Sequence, residues 1–129
     1  LAARAELVRT RVAPALARGE VVVLDRSAMS TYAYQAAGRG LPESQVRAMN
    51  DFAMGGLVPD VTLVLTLDAD EEARRRAERE AATGAAPDRM EAQGEAFAAR
   101  VRGAFDRFAA PGGARDYPEL GRVERVDAS

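Results

Sequence analysis

Two charged residues, Asp25 and Arg26, directly follow four apolar ones, Val21, Val22, Val23 and Leu24. They lead into a run rich in hydrogen-bonding side chains, SAMSTYAYQAAGRG (27–40). An Arg offers a planar fork of donors that matches phosphate oxygens. An Asp beside it could orient that Arg, or hold a water on a bound Mg²⁺. The plain alternative is an ion pair capping a strand. On a helix, Ser27, Thr31, Tyr34 and Gly38 would share one side, with Ser30 and Gln35 flanking it. Such a face can read the polar edge of a planar ligand; the alternative is an ordinary polar helix face. A third cluster, Arg74, Arg75, Arg76 and Arg79, precedes a small loop, TGAAP (83–87). Arg clusters on mobile segments neutralise charge during phosphoryl transfer. Interleaved with Glu, the same cluster also reads as a solvated face of i,i+4 pairs.

Composition narrows the chemistry. At 129 residues the chain fits one domain, and 47% hydrophobic with 29% charged residues describes a globular protein. A net charge of −2 supplies no global basic field for nucleic acid. Cys and His are absent, which removes thiolate chemistry and the commonest general base and metal ligand. All 18 basic residues are Arg, so neither Schiff-base chemistry nor a GxxxxGK[ST] loop lies within these residues. No apolar run approaches the roughly 20 residues of a membrane span. A cytoplasmic location is the expectation.

The elements that must position these groups follow from periodicity. Residues 1–18 read as a helix in which Leu7, Val8, Val12, Ala15 and Leu16 recur near 3.6 residues, with Pro14 marking a kink or fresh first turn and Gly19 the stop. Residues 21–24 read as a strand buried on both faces. A short helix over 30–37 has Ser30 as N-cap and Gly38 as stop. A helix over 41–53 gathers Val46, Met49, Phe52 and Ala53 on one side. The strongest strand signal is VTLVLTL (61–67), followed by a charged helix over 70–81. A long amphipathic helix over 88–110 carries Phe97, Val101, Phe105 and Phe108 as core residues. A last strand spans 123–126. Buried strands separated by helices imply an α/β parallel sheet, and in such sheets ligands sit beyond the carboxyl ends of strands. Asp25 and Arg26 hold that position.

Four ordered segments resemble the thymidylate kinase family over nearly the whole chain. They are DR with the STYAYQAAGRG run (Asp25 to Gly40), GGLVPDVTLVLTLD (55–68), DRMEAQGEAF (88–97) and VERVDAS (123–129). The resemblance implies a three-layer P-loop NTPase-like parallel sheet flanked by helices, present in part, with residues 1–129 as one domain and a lid near 74–89. It implies phosphorylation of dTMP to dTDP with ATP and Mg²⁺, in a protein that is commonly a homodimer. By the same resemblance, Arg26 grips the dTMP phosphate and Asp25 lies near the Mg²⁺. Thr31 bonds the thymine ring, with Gln35 and Ser30 beside it. Tyr34 packs near the sugar C2′, leaving little room for a 2′-OH. Arg4 reaches a thymine carbonyl, and Arg76 and Arg79 belong to the lid that closes over the phosphates.

The sequence departs from the family pattern at Ser27, where a Tyr, His or Phe is usual, and at Ala36-Ala37, which replaces a Gly-rich pair. The resemblance also places the family's first strand and phosphate loop before the position matching Leu1, and a further helix after Ser129. The expectation is therefore a portion of a longer enzyme, folding poorly alone and without the means to hold ATP. Two other readings stand beside catalysis: a non-catalytic module that keeps the dTMP pocket, and a related deoxynucleotide kinase with another base preference.

Overall fold

The structure is a computed structural model and describes residues 1–83 and 94–128. The chain opens with α1 (Ala2–Leu7), which continues through a π-helical turn (Val8–Val12) into α2 (Ala13–Ala17). Pro14 explains the irregular turn: it has no N–H to give the Thr10 carbonyl, and its ring crowds that carbonyl. The expected fresh first turn is found, with Pro14 at the start of α2. Gly19, at φ 76°, ends the helix. Its N–H bonds the Leu16 carbonyl and that of Glu20 bonds the Ala15 carbonyl, a Schellman closure. Val8 and Val12 are buried against Met54, whereas Leu7 and Leu16 face outward.

Residues 21–24 do not form the expected buried strand. They run without strand pairing, and Val21 and Val23 are 92% and 88% exposed. An apolar run becomes a strand only where a neighbour accepts its backbone bonds, and no described strand pairs with this one.

A continuous helical stretch follows: α3 (Ala28–Thr31) and a second π-helical segment (Tyr32–Gly38). It starts two residues before the expected position, so its N-cap is Ser27 rather than Ser30. It ends where Gly38 meets α6 (Glu95–Ala109); a Cβ there would lie 2.6 Å from Phe97 Cε2, so only glycine fits without displacing the ring. Arg100 holds this end by donating from Nε and Nη2 to the Gly38 carbonyl at 3.1 and 2.8 Å.

Helix α4 (Glu43–Met54) closes at Gly55 in the left-handed region. Its buried stripe is Val46, Asn50, Ala53 and Met54; Phe52, expected on that side, is 82% exposed. Strands β1 (Val61–Thr66) and β2 (Arg122–Asp127) pair in parallel, with Val61 opposite Arg122 and Thr66 opposite Asp127. Among the described residues the sheet has these two strands only, smaller than the expected layer. Between them run α5 (Ala69–Thr83) and α6. Asp68 caps α5 by accepting the Glu71 N–H at 2.7 Å. The part of the expected 88–110 helix before Gly94 lies outside the described residues.

Two buried clusters hold these elements: Val8, Val12 and Met54 form the smaller, and the larger joins the 28–38 stretch, α4, β1 and α6. Val64 points into the larger from β1, and Phe97, Val101 and Phe108 enter from α6 as their spacing predicts; the fourth buried position is Ala104, and the expected Phe105 is only partly buried. Tyr117 stands edge-on to both Tyr32 and Phe108, with ring centroids 5.0 Å apart in each pair. Its hydroxyl donates to Glu43 Oε2 at 2.7 Å, and Arg107 Nη2 donates to the other oxygen at 3.1 Å. These bonds, the Tyr117 one foremost, hold the Glu43 carboxyl below its ordinary pKa of 4.5. A carboxyl whose pKa is lowered by folding stabilises the fold above its unfolded value and loses that contribution as pH falls through the folded one. Thermal melts of Glu43→Gln should therefore differ most from those of the parent at neutral pH, the two converging at acid pH; a pH-independent difference would remove the linkage.

Arg26 is the one non-glycine described residue with positive φ, at 62°. An L-residue in this region carries a strain of roughly 1–2 kcal/mol that glycine escapes. Comparing Arg26→Gly with Arg26→Ala, which share the lost guanidinium, should show the glycine variant more stable by about 1 kcal/mol in denaturant titration. Equal stability would mean the turn relaxes without strain.

Candidate functional site

The site grows from the two ends of the helical stretch 28–38. At its start, Arg4 reaches across from α1. Its Nη1 donates to Thr31 Oγ1 at 2.9 Å and to Asn50 Oδ1 at 3.0 Å, and its Nη2 donates to the Ser27 carbonyl at 2.9 Å. All three acceptors are neutral. Among the described residues no carboxylate pairs with Arg4, and burial lowers its pKa below the ordinary guanidinium value. It stays protonated at any physiological pH, so a half-buried positive charge remains uncompensated. Three of its five N–H groups are engaged by these bonds.

One turn further along, Tyr34 braces Arg26. Arg26 Nη1 donates to the Tyr34 hydroxyl at 3.2 Å, and its guanidinium carbon lies 5.5 Å from the ring centroid, within cation–π range. The Tyr34 ring is backed by Phe97 and Phe105 of α6, at centroid distances of 6.3 and 6.1 Å. The aromatic stripe of α6 thus supports the side chain against which Arg26 rests. Thr31 and Tyr34, three residues apart, place the two guanidinium contacts on one helical face, as their spacing predicts.

Other expected positions fare differently. Asp25 is exposed and forms no ion pair with Arg26, so the strand-capping pair is not found. Ser30 is half-buried on α3. The Gln35 amide is turned toward Arg39, whose Nη1 donates to its Oε1 at 2.9 Å. On α5, Arg74 and Arg75 both hold Glu71, at 2.7 and 2.5 Å, and Arg75 also donates to the Ala128 carbonyl at 3.0 Å. These two form the solvated ion-paired face, and they draw the Glu71 carboxyl down to about 2, the Arg74 hydrogen bonds contributing most. Arg76 and Arg79 lie on α5 with side chains outside what the structure describes, as do residues 84–93 of the expected lid and its DR pair. Among the described residues no group of three acidic or imidazole ligands could enclose a metal.

Asn50 escaped the sequence reading. It is fully buried, and its Nδ2 donates to the Ala28 carbonyl at 3.1 Å while Oδ1 accepts from Arg4. The available signal was a lone amide at i+4 from Val46 and i−3 from Ala53, inside an apolar stripe where an unpaired polar group would be costly.

The arrangement suits a ligand with an anionic group for Arg26 and hydrogen-bond acceptors for Arg4. Among the described residues no helix is long and apolar enough to cross a membrane. A thymidylate kinase family model matches residues 1–115. The chain is 47% identical to a thymidylate kinase of Pseudomonas fluorescens over 104 residues, covering 81% of this chain and 47% of that protein. It is 46% identical to one of a Synechococcus species over 110 residues, covering 85% and 49%. Against one of Alkalilimnicola ehrlichii the identity is 40% over 127 residues, covering 98% and 54%. The chain spans about half the length of the curated relatives it matches. The match over 115 of its 129 residues, with the polar helical face inside it, means that the chain belongs to the thymidylate kinase family.

Proposed function

We propose that the protein transfers the γ-phosphoryl group of ATP to dTMP, giving dTDP and ADP, and that these residues supply the acceptor side of the site. The observation that carries the reading is the pair of cations along one face of the 28–38 helix, Arg26 against Tyr34 and Arg4 against Thr31, in a chain of this family. The whole is read as a P-loop NTPase-like parallel sheet flanked by helices, with residues 1–129 in one domain. The absence of Lys from these residues assigns the donor phosphates to parts of the relatives' length that the chain does not cover.

In this reading Arg26 binds the dTMP phosphate, and Arg4 spends its remaining donors on a carbonyl of the base. Thr31, Ser30 and Gln35 border the base, Gln35 once its amide is shared with Arg39. Tyr34 closes the space beside the sugar C2′. An oxygen of the dTMP phosphate attacks the γ-phosphorus; the bond to the β–γ bridging oxygen breaks and ADP departs. Little covalent work falls to the protein, so its catalytic means are positioning and charge. Arg26 contributes by holding positive charge where negative charge develops on the transferring oxygens. Arg76 and Arg79, in a lid over 74–89, would cover the phosphates and exclude water. Asp25 fits Mg²⁺ as a single exposed carboxylate, since this ion keeps several waters and is bound largely by substrate phosphates. The ion would supply charge neutralisation to those phosphates. A homodimer in the cytoplasm is the matching context.

The protein expressed from its complete reading frame should form dTDP from dTMP, ATP and Mg²⁺, and should prefer dTMP over dUMP, dCMP and dGMP. A rise in melting temperature with dTMP but no dTDP would establish the non-catalytic alternative, and preference for another base the related-kinase one. Arg26→Ala should lower kcat/KM by about 10²- to 10³-fold, roughly 3–4 kcal/mol of lost transition-state charge contact; parent-like turnover would remove Arg26 from the chemistry. Tyr34→Ala should narrow the gap between deoxy- and ribothymidine monophosphate, measured as the ratio of their kcat/KM values. An unchanged ratio would reject the sugar-sensing role.

A further inference from the structure

We propose that Asn50 is a positioning residue for the acceptor base: it aims the Arg4 guanidinium without neutralising it. This rests on the function proposed above. Asn50 is 0% exposed, on the inner stripe of α4, and both ends of its amide are engaged. Oδ1 accepts from Arg4 Nη1 at 3.0 Å; Nδ2 donates at 3.1 Å to the carbonyl of Ala28, the first residue of α3. That carbonyl already accepts the Tyr32 N–H within the helix, so the amide adds a second bond from outside it. One side chain thereby ties α1 and α4 to the first turn of α3, the turn that carries Thr31.

The amide is the group this geometry needs. A buried position facing both a cation and a carbonyl calls for one acceptor and one donor. An aliphatic side chain would leave an Arg4 N–H and the amide's share of the Ala28 carbonyl unmet. A carboxylate would accept from Arg4, but it would set a second negative oxygen against the Ala28 carbonyl. It would also pair with the guanidinium, cancelling the charge that the surrounding acceptors, Thr31 Oγ1, Asn50 Oδ1 and the Ser27 carbonyl, leave uncompensated. Asn50 fixes the direction of the fork and leaves its charge for the ligand.

The test uses the protein from its complete reading frame, with ATP and the best-used of dTMP, dUMP, dCMP and dGMP. Asn50→Asp, nearly isosteric, and Asn50→Ala should each raise the acceptor KM at least tenfold, with kcat within threefold and the ATP KM unchanged. In an Arg4→Ala background the same two changes should alter the acceptor KM less than twofold. Tyr32→Phe, next in the chain to Thr31, removes a buried hydroxyl that donates to Glu119, without touching Arg4; it should lower the melting temperature and leave the acceptor KM within twofold. An acceptor KM unchanged in both Asn50 variants overturns the inference, as does an effect undiminished when Arg4 is gone, or one that Tyr32→Phe reproduces. If the parent protein phosphorylates none of the four monophosphates, the function proposed above fails and the inference with it. If it prefers one other than dTMP, only the base assignment fails, and the Asn50 comparison decides the inference on that acceptor.

Discussion

The Arg4 guanidinium donates to Thr31 Oγ1, Asn50 Oδ1 and the Ser27 carbonyl, and these bonds bring α1, α3 and α4 to one point. A cation taken partly out of water needs its donors met, and here neutral oxygens meet them. That choice has two consequences. The helices are locked in position, because moving any one of them would strand a donor. The charge itself is not cancelled, so the point at which the helices meet is also where an electron-rich ligand is favoured. Removing Asn50 or Thr31 from this set would leave an Arg4 donor unmet.

Beneath this junction the aromatic core sets the depth and direction of the helical stretch 28–38. Tyr32 packs inward against Tyr117 and Phe108, and its hydroxyl donates to Glu119 beside β2. Two residues later Tyr34 faces the other way, resting on Phe97 and Phe105 and supporting Arg26. One helix thus buries one tyrosine in the core and leaves the other partly exposed beside Arg26. Gly38 allows this by letting the helix end approach Phe97 more closely than any Cβ would permit. The left-handed backbone at Arg26 is the local strain that accompanies this placement, and strain of that kind persists where surrounding contacts over-determine it.

Much of this was legible in the residues. The strand over VTLVLT and the spacing of Phe97, Val101 and Phe108 were legible, the latter because period 3.6 generates a buried face; which side of the strand is buried was not, since Leu63 and Leu65 are exposed and Val64 faces the core. The contacts of Thr31 and Tyr34 with Arg4 and Arg26 follow from the same helical arithmetic, while Ser27 became the N-cap and Gly38 packs against Phe97. The 21–24 run was not legible, since its apolarity describes an environment to be buried in, not a partner that buries it. Phe52 misled because its position borders two faces of α4, and the buried one runs through Val46, Asn50, Ala53 and Met54. Ser30 looked like a cap because Ser favours that position, but the turn at Arg26 starts the helix earlier. Gln35 lay on the right helix, yet its amide went to Arg39, four residues on, a local contact that competes with any ligand.

By itself the sequence determined the chemistry on offer: a chain whose every basic residue is Arg, without His or Cys, has guanidinium forks and hydroxyls with which to work. It also determined the segment order and the family, because side-chain identity and spacing are written directly in the chain. Tertiary structure alone decided that Arg4 is held by neutral partners and that a buried amide on α4 aims it, since Arg4, Thr31 and Asn50 are separated by 27 and 46 positions. It likewise assigned Arg26 to Tyr34 rather than to Asp25. Pairing between charges depends on distance in space, and no local periodicity encodes which of several candidate partners a folded chain will bring within hydrogen-bonding reach.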